Sequence, residues 1–157
     1  MGFNGGMAET LLTVAVVLTG LSAGLFAAFS YAVMPGLRRT DDAVFVQAMR
    51  AVNVAILNPV FGVVLVGPTA AAVAAVVAGW DSDARWWTVA GALLYALGAF
   101  VVTAAVNVPR NDALAAGTAD ASVLRRQFEA TWVRWNHVRS VLTTAGFVCL
   151  VRAVLAQ

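Results

Sequence analysis

The residue types that do chemistry gather in a few short stretches of this chain. Asn107, Arg110 and Asn111 form one group, and Trp132, Trp135, Asn136, His137 and Arg139 form another; Asn53 and Asn58 stand apart from both. An imidazole titrates near neutrality and can carry a proton. Amide and guanidinium groups donate hydrogen bonds to oxygen. An indole offers a flat apolar face. Each residue alone also has a plainer role. Asn53, Asn107 and Asn111 could cap helices, Arg139 could pair with lipid phosphate, and the two tryptophans could anchor at a membrane interface. It is the grouping that points to a shared polar pocket. On a helix, Trp132, Asn136 and Arg139 fall at i, i+4 and i+7 and share a face, as do Trp135 and Arg139 at i, i+4. His137 is turned about 100° from Asn136.

The elements that must position these groups are helices in a bilayer. Hydrophobic residues make up 61% of the chain and charged residues 11%, against about 25% charged in an average soluble domain. Three runs carry no Arg, Asp, Glu or His: Thr10–Leu37, Ala51–Trp80 and Trp86–Pro109. Each exceeds the roughly 20 apolar residues that span a membrane. They predict helices near 11–33, 57–78 and 86–106. A fourth span near 137–155 is interrupted by Arg139 and Arg152. Arg152 lies near the chain end and can snorkel, whereas Arg139 is expected at the membrane boundary or just inside the bundle. Strands are not expected, because the runs lack alternation and an open sheet edge cannot be satisfied in lipid. No arginine precedes the first run, so it reads as a retained helix rather than a signal peptide. Gly20 and Gly24 in that helix form a GxxxG that suits close helix packing.

The expected fold is all-α: a single transmembrane domain over 1–157, a four-helix bundle with short interfacial helices in the 1–2 and 3–4 connections. All ten basic residues are arginine, and most fall in those two connections. The positive-inside rule then places the connections in the cytoplasm and both termini outside. The polar groups singled out above would share the cytoplasmic depth. The two halves read alike. Val33-Met34-Pro35 matches Asn107-Val108-Pro109, and the interval from Phe45 to Asn53 equals that from Phe128 to Asn136. Proline is expected to end the helix in each half.

The net charge of +2 is explained by arginines at the inner boundary, so no nucleic-acid partner is implied. The lone Cys149 permits no internal disulfide. A single histidine and scattered carboxylates give no metal-ligand spacing, so no metal site is expected, and no GxGxxG or nucleophile elbow is present.

At Asn107-Val108-Pro109-Arg110-Asn111 and at Trp132-x-x-Trp135-Asn136-His137-x-Arg139, together with the Pro35 break, the chain resembles the anthrone oxygenase-like family of membrane proteins, long catalogued as a domain of unknown function. The resemblance runs from helix 1 to helix 4. It implies an integral protein of a bacterial plasma membrane and oxidation of anthrones to quinones by dioxygen without a cofactor. On that reading His137 removes the acidic methylene proton. Arg139, Asn136, Asn107 and Asn111 donate to the oxyanion, Trp132 or Trp135 stacks on the ring, and Asn53 and Arg110 complete the pocket. The partners implied are the lipid bilayer and a hydrophobic small molecule, with a homo-oligomer compatible. The alternative is a non-enzymatic membrane protein that holds a lipid or quinone in the same pocket.

Overall fold

The computed structural model describes residues 3–157. Among the described residues there are five helices and no strands. They are α1 (Gly5–Leu37), α2 (Asp42–Ala55), α3 (Pro59–Ala78), α4 (Arg85–Ala116) and α5 (Ala121–Leu155). All but α2 are long and apolar enough to cross a membrane. The interior is mainly apolar, but the exterior is apolar too. Val17, Val63, Leu93 and Val141 face outward, while Thr19, Ser22, Ser140 and Thr143 are buried. An exterior this apolar needs hydrocarbon around it, so the chain is an integral membrane protein.

Local chemistry sets the helix ends. Asp41 caps α2 by accepting from the Val44 N–H at 2.8 Å. Asn58 caps α3, accepting from the Phe61 N–H at 3.0 Å, and its amide nitrogen donates to the Ala55 carbonyl at 2.9 Å. One side chain thus closes α2 and opens α3, and Pro59 occupies the first turn of α3, where a missing N–H costs nothing. Asn53, Asn107 and Asn111 cap no helix. The C-terminal end of α4 is held by Arg50 of α2, which donates to the carbonyls of Leu114 (2.9 Å) and Gly117 (2.6 Å). A guanidinium is well placed there, because the last carbonyls of a helix lack partners.

Three expectations are corrected. Pro35 and Pro109 do not end their helices. In both halves the backbone widens into a π-helical segment just before the proline, at Phe29–Val33 and Leu97–Asn107. The Met34 N–H reaches the Phe29 carbonyl and the Val108 N–H reaches Thr103, each five residues back. The wider turn relieves the clash of the proline ring with the carbonyl four residues earlier, and α-helix resumes beyond it. The second interfacial helix is also absent as a separate element. Its amphipathic stretch is the first part of α5, one unbroken helix of 35 residues. At 1.5 Å per residue that is about 52 Å, well beyond the roughly 30 Å hydrocarbon core. The first turns of α5 therefore project past the lipid, beside α2. There Arg125 pairs with Glu129 (2.7 Å) and Asp42 (3.0 Å), and Arg38 pairs with Glu129 (3.0 Å). Burial pushes the Glu129 carboxyl up, but the hydrogen bonds from Arg125 and Arg38 outweigh it and hold Glu129 below its ordinary range.

Within the bundle, α4 and α5 approach closely where Gly91 faces Gly146. A Cβ on Gly146 would lie 2.9 Å from the Gly91 carbonyl oxygen, so neither position has room for a side chain. The expected GxxxG contributes only in part. Gly20 packs under Phe147 of α5, whereas Gly24 faces open space. Pro68 inside α3 leaves the Val64 carbonyl without its helical donor. The buried Tyr95 hydroxyl of α4 lies 3.1 Å from that carbonyl, 3.0 Å from that of Leu65 and 2.8 Å from Ser22 of α1. One phenol ties three spans together at a defect the proline creates.

Candidate functional site

The π-helical segment of α1 begins, at Phe29, and that of α4 ends, at Asn107, beside a cavity of 460 Å³, at the end of the bundle where the long connections lie. Phe26 and Phe29 of α1 and Phe61 of α3 form part of its apolar wall. Thr103 and Asn107 of α4 face it, with Asn111 one turn further on. Trp132 and Arg139 of α5 close it, and Asn53 of α2 lies near its edge. The expected meeting of the Asn107–Asn111 stretch with the Asn136–Arg139 stretch thus occurs at this wall.

Arg139 is the centre of the arrangement and is only 6% exposed. It points into the bundle rather than out to lipid headgroups. One terminal nitrogen donates to the Thr103 hydroxyl at 3.1 Å, and the other donates to the Asn136 amide oxygen. Its Nε has no partner. The guanidinium carbon lies 4.1 Å from the Phe26 ring centre and 5.7 Å from that of Trp132, so two π-faces flank the charge. No ion pair to Arg139 exists among the described residues.

Asn136 stands behind Arg139 rather than in the cavity. Its amide nitrogen donates to Ser30 Oγ (2.8 Å) and to the Phe26 carbonyl (3.2 Å). The Phe26 carbonyl and Ser30 lie at the entry to the π-segment of α1. Asn136 therefore locks α5 to α1 and turns its oxygen toward Arg139. Asn107 is different. It is 1% exposed, lines the cavity, and neither its amide oxygen nor its amide nitrogen has a partner. Asn53 likewise has an unpaired amide nitrogen. Trp132 is held in plane from two sides. Its indole N–H donates to the Asn111 side-chain oxygen at 2.9 Å, and its ring stacks on Phe128 at 5.8 Å.

The other sequence-selected residues lie off the cavity. His137 is exposed on the outer face of α5 and does not line the wall. The 100° step between Asn136 and His137 decides this, because Asn136 takes the inward direction. The proton-acceptor role expected of His137 therefore finds no support in its position. Trp135 is 37% exposed, and Arg110 is exposed and reaches the Gln127 carbonyl at 3.4 Å; neither lines the cavity. Sequence reasoning missed Phe26, Phe29, Phe61 and Thr103, which sit within or at the ends of uncharged runs and carry no mark of function. It also missed Asp112, the carboxylate at the exposed edge of the cavity, although Asn111 beside it was selected. A larger recess of 720 Å³ lies at the opposite end of the bundle, between the starts of α1 and α4. Among the described residues its lining holds no buried polar atom that lacks a partner.

The pattern of the anthrone oxygenase family matches residues 49–149. The chain belongs to the anthrone oxygenase family. The matched segment contains every cavity residue named above except Phe26 and Phe29 of α1. No curated protein and no solved structure matches the chain.

Proposed function

We propose that this protein is a membrane oxygenase that converts anthrone-like polycyclic phenolic ketones to quinones with dioxygen. The observation that carries the reading is the aromatic-walled cavity into which Asn107 and Arg139 present polar atoms that no protein group satisfies. Family membership supports it. A cavity of this size falls within the usual range for small-molecule sites, about 300–1,000 Å³.

The chemistry asks little of the protein. An anthrone carries a methylene whose loss of a proton gives a delocalised, phenolate-like anion. Arg139 and Asn107 stabilise the oxygen where that charge collects, and the Trp132 face orients the ring. The anion transfers electrons to dioxygen and forms a carbon–oxygen bond, giving a peroxide. Loss of the second methylene proton with cleavage of the O–O bond then yields the quinone carbonyl and water. One dioxygen is consumed per quinone and water formed. Asn136 is a positioning residue that holds the guanidinium in place.

The polar end carries Arg38, Arg39, Arg50, Arg110, Arg125, Arg126 and Arg134, against Arg85 and Arg152 at the other. On the positive-inside rule the cavity opens at the cytoplasmic leaflet and both termini lie outside. Exposed Val54, Leu57 and Val108 border the cavity, so an apolar substrate can enter from the bilayer.

The test is oxygen uptake by purified protein supplied with anthrone. Uptake should match anthraquinone formed, and Arg139→Gln should reduce kcat/KM by at least about 100-fold, the usual effect of removing one oxyanion donor. Equal rates with and without protein would remove the proposal.

A further inference from the structure

The charge on Arg139 has no counter-charge in the protein. Its terminal nitrogens meet only the neutral oxygens of Thr103 and Asn136, its Nε meets nothing, and the rings of Phe26 and Trp132 flank it. The other charged groups on the cavity are Arg50 from α2 and Asp112 from α4; α1 and α3 contribute none. Arg50 is a second cation, engaged by the carbonyls of Leu114 and Gly117. Asp112 is exposed at the edge and makes no ion pair among the described residues. The interior of the cavity is therefore positive and walled by hydrocarbon. An arginine keeps its proton in proteins, and a lone buried cation is costly without a partner. Asn107 adds an acceptor and a donor side by side, both unpaired.

The geometry points to a site that takes its ligand as an oxyanion: a planar polycyclic phenol or enol gives up its proton on binding. The O–H bond breaks with both electrons left on the oxygen beside Arg139. The proton passes to water at the Asp112 edge. No histidine is needed, consistent with the outward position of His137. This deepens the proposed reaction, because the bound anion is the species that meets dioxygen. It goes further in ligand class, since neither a methylene nor dioxygen is required. Hydroxylated quinones, the products included, are ligands by the same chemistry, and their affinity rises with pH up to their own ionisation.

The probe is 2-hydroxyanthraquinone, a planar phenol without an oxidisable methylene, whose phenolate absorbs at longer wavelength than the neutral form. It is titrated by absorbance with the full-length protein in nanodiscs of zwitterionic lipid and, separately, with empty nanodiscs of the same lipid. Bound probe should ionise about 1–3 pH units lower than lipid-dissolved probe, the usual effect of one adjacent opposite charge. Arg139→Gln should abolish the shift, and Arg139→Lys should retain part of it. The wild-type titration decides by itself should either variant fail to fold. A probe that does not bind, or binds and ionises as it does in lipid, overturns the inference. A full shift in Arg139→Gln overturns the assignment to Arg139. Oxygen uptake on anthrone, measured in the same preparation, separates the two ideas. Uptake without the shift removes the oxyanion site and leaves the oxygenase; the shift without uptake does the reverse.

Discussion

Replacing Asn107 by leucine should make the empty protein more stable and remove most of its response to ligand. Asn107 is buried with both ends of its amide unpaired, and each such atom costs about 1–3 kcal/mol. Leucine keeps the same heavy-atom branching without a polar atom, and the adjoining cavity has room for its larger methyl groups, so a net gain of about 1–3 kcal/mol is expected. For a chain of this size that raises Tm by about 2–4 °C per kcal/mol. The same amide is placed to receive the ligand. At 100 times Kd a ligand adds about 2.7 kcal/mol to the wild type, and the variant should lose most of that. The assay is thermal unfolding in detergent micelles, with and without 2-hydroxyanthraquinone, for both proteins. An Asn107→Leu variant that is destabilised by 1 kcal/mol or more, or that keeps the full ligand effect, would refute the reasoning. Either result would mean that Asn107 serves the fold and not the cavity.

Other outcomes follow from the same packing. His137→Ala should leave oxygen uptake unchanged, read as kcat and KM on anthrone, because the ring faces away from the cavity. Tyr95→Phe should destabilise by about 1–3 kcal/mol in chemical unfolding, since it strands the Val64 carbonyl that Pro68 leaves without a donor. Gly146→Leu should disrupt the α4–α5 crossing, where a Cβ would already lie 2.9 Å from the Gly91 oxygen; the expected readout is aggregation on size-exclusion chromatography. Glu129 is held below its ordinary range. Its contribution to stability is present above its unfolded pKa of about 4.3 and is lost as pH falls through the lower folded value. Glu129→Gln should therefore flatten the acid limb of the unfolding profile and leave the neutral region less stable than wild type.

The spans were legible because the bilayer imposes a length rule that charge-free runs reveal directly. Their ends were less so. Pro35 and Pro109 read as terminators because a proline is incompatible with an α-turn. The relief came from π-turns whose residues, such as Ala104 and Ala105, are ordinary helix formers and announce nothing. The charged and polar stretch from Arg125 to Trp135 disguised the first part of α5, although it simply continues the helix beyond the hydrocarbon. At the site, the convergence of Asn107 with Arg139 could be read from their common depth. The choice between Asn136 and His137 could not, because neighbours 100° apart are distinguished only by which one meets α1, and Ser30 and the Phe26 carbonyl make that decision. Phe26, Phe29 and Phe61 were invisible for the opposite reason: an apolar residue in an apolar run looks the same whether it faces lipid or a ligand.

The widened turns in α4 have one more effect. From Leu97 to Asn107 the backbone runs in a register that an ordinary helix would not keep. A wide turn holds one residue more than an α-turn, so removing one residue there would let the coil tighten and leave the face beyond it nearly unchanged. Wound as an ordinary α-helix at its present length, the stretch would instead carry Asn107 and Asn111 round by about 100° for each extra residue, toward lipid or a neighbouring span. The surplus residue in the wide turn thus aims the amides of the chamber, while the crossing itself does not depend on it.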